Sequence, residues 1–568
     1  MKTKIFCLLL AIFGAIAVMT SCFGGQTGDG WRPDDFEGSP EGSSIYWNNT
    51  DLIFQLTNNS NSNELSSTLK RYLAGEDFTV SGGDIDDAVA ERNAKAYSDT
   101  RVTLKYDYLD NTTDYGWGRN VDRIFTQVNS GATGTPDMYC NFAYDMTCVS
   151  LKNAFANLYS TAYGQGMNFF RFVADDYVGT GETFFDSNAG EGYFFDYMKS
   201  LTLSDNKAYC LASNYCIDMV RAFLVVPVNI DMMNQIAVGD STGDKGVMDG
   251  KFDISDFYQL VWDGDFTYDA LATLAEAVYS PESDYNIGAD LGDILGFAAG
   301  TQSGLTSSGL LYTTDVKIID KVAKGDGSYK LTYPETNEKF VTFGEALTDL
   351  FQKTGICAVN KDDANGALGT SGLTELECIR NSFTSNKLLF GGIISVGSLE
   401  DVAYQEMRLG SGFGIAPVPL YEASDDETPY LTLVHNIARI ISISRNTTKF
   451  EQCTAFLNAQ SIRSADVITT YYEEQLTTQV AVGEAANDNV RMLNYIRNNV
   501  RDCFDKTFED VISNYYADQD SQAMSNRWHG ILQEHDFQVT NIRTMYTELR
   551  ANKQKSLENL LTEWNRLP

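Results

Sequence analysis

The sequence predicts an α/β protein with more than one domain, on three observations. The chain has 568 residues, which is long enough for two or three hydrophobic cores. Strand-like and helix-like segments alternate along its first part, which favours a mostly parallel sheet covered by helices. A mostly apolar run from Met219 to Val228 ends in β-branched residues and is too short to cross a membrane. We expect this run to be a buried strand.

Polar residues flank that central run and suggest a special position for it. Pro227 excludes an ordinary helix interior. A buried strand with polar ends can pass from one domain to another beneath a ligand cleft, and the alternative is a plain core strand of a single domain. The flanking polar residues are Asn214, Tyr215, Asp218, Arg221 and Asn229.

The alternation before the central run can be assigned segment by segment. Period-two patterns predict strands over 50–56, 101–109 and 137–141, and helical spacing predicts helices over 64–74, 86–97 and 121–128. Ligands of open α/β sheets lie beyond the carboxyl ends of strands, and Phe142, Tyr144 and Asp145 follow the third strand. Rings stack on sugars and carboxylates accept bonds from hydroxyls, so this cluster is a candidate sugar-binding edge. The alternative is a helix-capping Asp145 beside two core aromatics.

Composition excludes some classes of partner. The formal net charge is −35 and the pI about 4.3, so nucleic-acid binding, which needs a basic surface, is not expected. Aromatic residues make up 12% of the chain, which supplies surface for a ligand.

The N-terminus has the pattern of an export signal. Lys2 and Lys4 precede an apolar stretch, and small residues then precede Cys22. This ending resembles a bacterial lipobox, which predicts a signal peptide over 1–21, lipidation of Cys22 and a flexible Gly/Asp/Ser-rich tether over 22–44. The alternative is an ordinary cleaved signal without lipid. No later run is long enough to span a membrane.

The cysteine count fits an exported protein. Ten cysteines less Cys7 and Cys22 leave an even number, which permits disulfides. Sequence separation makes Cys140 with Cys148 and Cys210 with Cys216 plausible pairs. The alternative, that several are buried free thiols, remains open, and the spacings do not predict a zinc site.

No catalytic motif or cofactor fingerprint is present. The three histidines, His435, His529 and His535, are scattered, which makes a histidine-based catalytic or metal centre hard to assemble. The acidic, glycine-rich run over 239–253 lacks the spacing of a calcium loop and is expected to be a solvated loop, with calcium binding as the alternative. We therefore expect no cofactor and no metal.

Several segments, in this order, resemble the extracellular solute-binding lipoproteins of bacterial carbohydrate ABC importers, the maltose-binding-protein-like family. The first is FYQLVWDGDFTYD over 257–269, similar to a helix and turn common in the family. RLGSGFGIAPVP over 408–419, LTLVHNIARIISIS over 431–444 and TYYEEQL over 470–476 follow, and 552–567 resembles the closing amphipathic helix.

The resemblance implies two α/β lobes that close on a ligand by hinge motion. The first lobe would comprise 45–214 and 438–470, and the second 221–434 and 478–568. The central run, the segment 432–443 and the segment 471–475 would cross between them.

The resemblance also implies positions for the ligand and a set of partners. The ligand-binding positions are Phe142, Tyr144, Asp145, Asn214, Tyr215, Tyr471 and Tyr472, with Trp47 and Trp117 as weaker candidates. The implied function is capture of a sugar or oligosaccharide outside the cytoplasm, by a lipid-anchored monomer without catalytic activity, for delivery to an ABC permease. The alternatives are an exported carbohydrate-active enzyme and a sensing lipoprotein that reports to a membrane receptor.

Overall fold

The computed structural model describes most of the chain beyond the N-terminal segment. The described residues are 50–58, 69–76, 84–110, 119–158, 192–204, 207–236, 252–281, 293–301, 304–359, 373–410, 412–424, 429–435, 438–473, 484–500, 504–515 and 541–568. No helix among them is both long and apolar enough to cross a membrane.

Strands and helices alternate through these residues. The strands are β1 (Thr50–Asn58), β2 (Val102–Asp110), β3 (Met138–Phe142), β4 (Leu224–Asn229), β5 (Leu295–Gly300), β6 (Asp320–Ala323), β7 (Tyr329–Thr332), β8 (Ile356–Val359), β9 (Leu388–Phe390), β10 (Ile394–Ser395), β11 (Phe413–Ala416) and β12 (Arg439–Ile443). The helices are α1 (Asp84–Thr100), α2 (Arg119–Ser130), α3 (Ala143–Leu151), α4 (Phe195–Ser200), α5 (Asp218–Arg221), α6 (Ile230–Met233), α7 (Ile254–Trp262), α8 (Tyr268–Val278), α9 (Gly304–Tyr312), α10 (Glu338–Leu350), α11 (Glu375–Thr384), α12 (Val402–Leu409), α13 (Phe450–Arg463), α14 (Ala465–Tyr471), α15 (Glu484–Asn498), α16 (Phe504–Tyr515) and α17 (Ile542–Arg566). A short π-helix spans Leu69–Ala74 and a 3-10 helix spans Val396–Glu400.

The first sheet has four strands in the order β12-β3-β1-β2. β1 pairs in parallel with both β2 and β3, whereas β12 pairs antiparallel with β3. Helices α13 and α14 pack against α1 on this half of the molecule. The strands and helices predicted over 50–56, 86–97, 101–109, 121–128 and 137–141 are confirmed, with ends displaced by a few residues. The start of the helix predicted over 64–74 lies outside the described residues.

The second sheet is built around β4. β5 pairs in parallel with β8 and β9, and β4 pairs antiparallel with β9, β10 and β11. The two sheets share no strand. The predicted α/β class with two sheet-based halves is therefore confirmed, while the residue boundaries proposed for the two lobes remain a prediction.

The central run is only partly a strand. Residues 218–221 form the short helix α5, and the strand begins at Leu224, so the prediction of a strand from Met219 was wrong at its start. Every residue of β4 is buried, as its β-branched composition predicts. The Pro227 carbonyl accepts a hydrogen bond from the Gly391 N–H, beyond the end of β9. Because the N–H and the carbonyl of a strand residue face the same side, the missing N–H of Pro227 also faces this position beyond the strand, where proline is tolerated. Opposite it, the Ile415 N–H donates to the hydroxyl of Tyr258.

Two crossing segments join the sheets side by side. The first, 211–224, begins next to β12, where Leu211 and Ile441 exchange two backbone hydrogen bonds of 2.8 and 2.9 Å. It ends where the Leu224 N–H donates to the Leu433 carbonyl. The second begins at Leu433 and precedes β12 in the sequence, and its His435 N–H donates to the Ala222 carbonyl. The two segments therefore form a short antiparallel connection between the halves.

The cysteines do not form the pairs suggested by their spacing. Cys140, Cys148, Cys210 and Cys216 are all buried thiols, so neither Cys140 with Cys148 nor Cys210 with Cys216 is bonded. The Sγ atoms of Cys140 and Cys216 instead lie 3.8 Å apart. Separation in the sequence did not predict these neighbours, because the fold places Cys140 beside Cys216 and Cys210 beside Ser150 and Ser442.

Candidate binding site at the junction of the two sheets

The carboxyl edges of both sheets lead into the same crossing segments. In the first sheet, Arg439 opens β12 opposite Phe142, the last residue of β3, so it lies at the edge where the parallel strands end. In the second sheet, Ser395 at the end of β10 lies opposite Leu224, the first residue of β4. Ligands of α/β proteins bind at such edges. The region between the two edges is therefore the candidate binding site.

A chain of buried and half-buried polar groups, four of them charged, connects the two edges. We call Asp218, Arg221, Glu400, Arg439 and Tyr471 the junction network. Arg439 Nη1 donates to Asp218 Oδ2 at 2.5 Å, and Arg221 Nη1 donates to Asp218 Oδ1 at 2.9 Å. Arg221 also binds Glu400 through two bonds of 2.7 and 2.8 Å, and the Tyr471 hydroxyl donates to the same carboxylate at 2.5 Å. Because Arg439 and Tyr471 belong to the first half and Glu400 to the second, the network links the halves.

Burial makes these interactions electrostatically strong. Burial alone raises the pKa of Asp218, but the charges and hydrogen bonds of Arg439 and Arg221 outweigh it and lower that pKa. Burial lowers the pKa of Arg221, yet Glu400 and Asp218 together raise it well above its usual range. Burial and the negative charge of Glu400 raise the pKa of Tyr72 to about 12, so this neighbour stays a neutral hydrogen-bonding group. The junction thus holds ionised pairs next to neutral tyrosines.

Glu400 is the member of the junction network that a solute can reach. Its side chain keeps 20% of its surface exposed, compared with 4% for Arg221. It is the last residue of the 3-10 helix after β10, and its position at the sheet edge places it beside the crossing segments. A partly exposed carboxylate held in place by an arginine can accept bonds from sugar hydroxyls.

A second polar contact lies close to the network. Arg497 of α15 donates to Asn214 Oδ1 at 3.0 Å. Burial raises the pKa of Tyr472 above its usual range, and the positive charge of Arg497 opposes this rise. The rings of Tyr471 and Tyr472 lie 6.4 Å apart between centroids. The fold therefore brings the predicted residues Asn214, Tyr471 and Tyr472 into one region.

The predicted cluster after β3, which comprises Phe142, Tyr144 and Asp145, is also buried, but its members have different neighbours. The guanidinium of Arg439 lies 5.0 Å from the ring centre of Phe142, so Phe142 borders the network. Tyr144 and Asp145 lie in the first turn of α3, and Asp145 accepts a bond of 3.3 Å from Asn141. All three residues are at most 6% exposed.

Tyr215 packs into the first half. Its ring contacts Phe54, Phe456 and the guanidinium of Arg92, all from the first half. Its exposure is 0%. A ligand could contact this residue only after a rearrangement of the first half.

Other predicted features lie outside the described residues. These are the signal peptide, Cys22 and the tether, Trp47, Trp117 and residues 239–251 of the glycine-rich run. Within the part of the chain that the structure describes, no cluster of three or more His, Cys, Asp or Glu residues could hold a metal ion.

Sequence reasoning did not identify Arg439 or Glu400. A usable signal existed for Arg439, because an arginine inside the apolar segment ARIISIS must be buried with a partner. Its partner, Asp218, is 221 residues away in the sequence, so spacing could not identify it. Glu400 had no such signal, since it lies in an ordinary polar segment.

Comparisons with known proteins give matches in structure but not in sequence. No family model and no curated protein matches the chain. One similar solved structure is the sugar-binding protein MalE from Xanthomonas citri, with a TM-score of 0.49, 9% identity, and coverage of 91% of this chain and 100% of that one. Another is the galacto-N-biose/lacto-N-biose I-binding protein of an ABC transporter from Bifidobacterium longum, with a TM-score of 0.46, 10% identity, and coverage of 91% and 98%. A third is the GacH receptor of Streptomyces glaucescens, with a TM-score of 0.45, 12% identity, and coverage of 90% and 99%.

Proposed function

We propose that this protein is an extracytoplasmic solute-binding protein that holds a sugar or oligosaccharide between its two halves and delivers it to an ABC permease. The observation that carries the proposal is the meeting of both carboxyl sheet edges at one pair of crossing segments. The ordered sequence segments that resemble this family of lipoproteins support the same function.

Binding would use groups that are already in place. Glu400 would accept bonds from sugar hydroxyls. The tyrosines at 471 and 472 are at most 2% exposed, so they would offer rings and hydroxyls only after the halves separate. Separation of the halves about the crossing segments would admit the ligand, and closure would exclude water from it. The other predicted positions, Phe142, Tyr144, Asp145, Asn214 and Tyr215, stay candidates within this proposal.

The proposal contains no chemical step. A general acid for glycoside hydrolysis needs a raised pKa, whereas the two arginines lower the pKa of Asp218. Glu400 is held by both Arg221 and Tyr471, which suits a fixed acceptor.

Lipidation of Cys22 would anchor the protein at the outer face of the membrane, where it would act as a monomer. Mass spectrometry of the N-terminal peptide from wild type and Cys22→Ser would test this. A diacylglycerol-modified peptide is expected only in the wild type, and an unmodified wild-type N-terminus would exclude the anchor.

Isothermal titration calorimetry against a panel of neutral and acidic mono- and oligosaccharides tests the binding function. We expect at least one saccharide to bind with one site per chain and with a negative heat-capacity change from closure. The absence of binding across the panel would exclude the proposed substrate class. Turnover of a bound saccharide would instead favour a carbohydrate-active enzyme.

The choice between transport and sensing needs a partner assay. Reconstituted permease that hydrolyses ATP faster with the loaded protein than with the empty protein would support delivery. Binding to the saccharide without any effect on the permease would favour the sensing alternative.

A further inference from the structure

Two buried thiols meet at the root of the first crossing segment. Cys140 lies in the middle of β3, and Cys216 lies in the crossing segment two residues before Asp218. Their Sγ atoms are 3.8 Å apart, although the residues are separated by 76 positions in the sequence. Both are buried, at 0% and 3% exposure. The contact is thus created by the tertiary fold.

The backbones that carry these thiols are held firmly in position. Cys140 lies opposite Leu56 of β1 on one side and Ile441 of β12 on the other. The Cys216 N–H donates to the Ser213 carbonyl, and the Cys216 carbonyl accepts from the Met219 N–H. A disulfide has an S–S distance of about 2.05 Å, so the sulfurs must approach by roughly 1.8 Å, a shift on the scale of a side-chain rotation.

The neighbouring thiol at Cys210 has different partners. Its Sγ atom lies 3.5 Å from the Ser150 hydroxyl and 3.4 Å from the Ser442 hydroxyl. The Cys210 sulfur is thus placed against hydroxyl groups, whereas the Cys140 and Cys216 sulfurs are placed against each other.

We propose that Cys140 and Cys216 are a disulfide-forming pair that fastens the first crossing segment to the central strand of the first sheet. The oxidant is a small-molecule or protein disulfide. One thiolate attacks it to form a mixed disulfide and release one thiol, and the second cysteine then displaces the second thiol. Two electrons pass to the oxidant, and the two thiol protons end on the released thiols.

Access decides when the bond forms. The hydrogen bond between the Cys216 and Cys140 thiols and their burial raise the pKa of Cys216 well above its usual range, so the packed thiols exchange slowly. The bond therefore forms while the chain folds, before the crossing segment packs against β3. Once formed, it confines bending between the halves to the later part of the connection, 222–224 and 433–435.

Refolding of the full-length chain tests the pair. The reduced, denatured protein is refolded in a glutathione redox buffer, quenched with acid, alkylated with N-ethylmaleimide under denaturing conditions and digested with trypsin. Trypsin yields the fragments 124–152 and 208–221, and each contains two cysteines, so wild-type fragments alone cannot assign the bond. The double variant C148S/C210S leaves one cysteine in each fragment.

We expect nearly complete linkage of the two fragments in C148S/C210S and complete loss of that linkage in C140S and in C216S. The thermal midpoint of the oxidised C148S/C210S protein should also fall by a few degrees on reduction, with no change in C140A. The alanine variants repeat the assay if serine at a buried site prevents folding. Full alkylation of both fragments in folded C148S/C210S, or a link that persists in C140S, would overturn the proposal.

Discussion

Two arginine–glutamate pairs in this protein share a geometry and differ in their surroundings. At the junction, Arg221 binds Glu400 through bonds of 2.7 and 2.8 Å, with side chains 4% and 20% exposed. On the outer surface, Arg543 of α17 binds Glu338 of α10 through bonds of 2.5 and 2.6 Å, with side chains 62% and 63% exposed. Distance alone cannot distinguish the two pairs.

The difference lies in what each pair would lose on breaking. Water replaces the lost bond at the outer pair, so that pair contributes little to stability. At the junction, removal of one partner leaves a desolvated charge beside Asp218 and Arg439, which is costly. The junction pair therefore stabilises the arrangement of the two halves, whereas the surface pair contributes little to the contact between α10 and α17.

The strongest way to break this contrast is Asp218→Asn. The substitution keeps the shape but removes the negative charge between two buried arginines. We expect a loss of about 3–5 kcal/mol in the free energy of unfolding, measured by urea denaturation. Asp122→Asn is the control, because Asp122 is 83% exposed and its partner Lys152 is 25% exposed, so water can replace the lost interaction; it should leave the urea midpoint unchanged. Equal midpoints for both variants would contradict a stabilising network.

A direct comparison of the pairs uses the same substitution twice. Glu400→Gln should lower the free energy of unfolding by about 1–3 kcal/mol, because two charge-assisted bonds from Arg221 are weakened. Glu338→Gln should give no measurable shift in the urea midpoint. If Glu338→Gln destabilises as much as Glu400→Gln, exposure does not determine the strength of these pairs.

Tyrosine hydroxyls sharpen the contrast at a single bond. Tyr471→Phe removes the hydroxyl that donates to Glu400. It should lower the free energy of unfolding by about 1.5–3 kcal/mol, the range for a hydrogen bond to a charged group. Tyr404→Phe is the matched control, since this buried ring packs against Phe383 and Phe413 in the second half. Urea denaturation of both variants measures the two losses in free energy of unfolding. A loss in Tyr404→Phe that is larger than the loss in Tyr471→Phe would contradict this prediction.

A further expected effect is a pH dependence of stability that originates at the crossing segments. Burial, aided by the charge of Lys506, lowers the pKa of His435 to about 3. The unfolded chain binds a proton at this histidine below pH about 6.5 while the folded chain does not, so acid favours unfolding.

This effect is isolated by the difference between wild type and His435→Gln. As the pH falls from about 6.5 towards 4, the wild type should lose stability relative to the variant by at most about 1.4 kcal/mol per pH unit. Urea denaturation at several pH values measures the difference. A difference that is independent of pH would mean that His435 titrates alike in the folded and unfolded chains.

The fold was predictable where local pattern and burial agree. The β-branched residues after Leu224 gave the central strand of the second sheet, and the alternation over 101–109 gave β2. The start of the central strand was predicted incorrectly because the short helix Asp218–Arg221 carries the apolar residues Met219 and Val220, which composition alone cannot distinguish from the start of a buried strand.

The site was harder to predict because its members come from distant parts of the chain. Asp218 and Arg221 attracted attention as polar residues beside an apolar run, but Glu400 lies 179 residues after Arg221. Tyr215, chosen from the same stretch, turned out to pack in the first half, since neighbouring residues of a crossing segment face different surroundings. The Cys140–Cys216 contact illustrates the same point for the thiols.

The structure of the full-length protein with its tightest-binding saccharide tests the central claim most directly. We expect the sugar to lie between the two sheet edges, with a hydroxyl within about 3 Å of Glu400 or Tyr472 and contacts to both halves. A saccharide bound to one half alone, away from the crossing segments, would contradict the account.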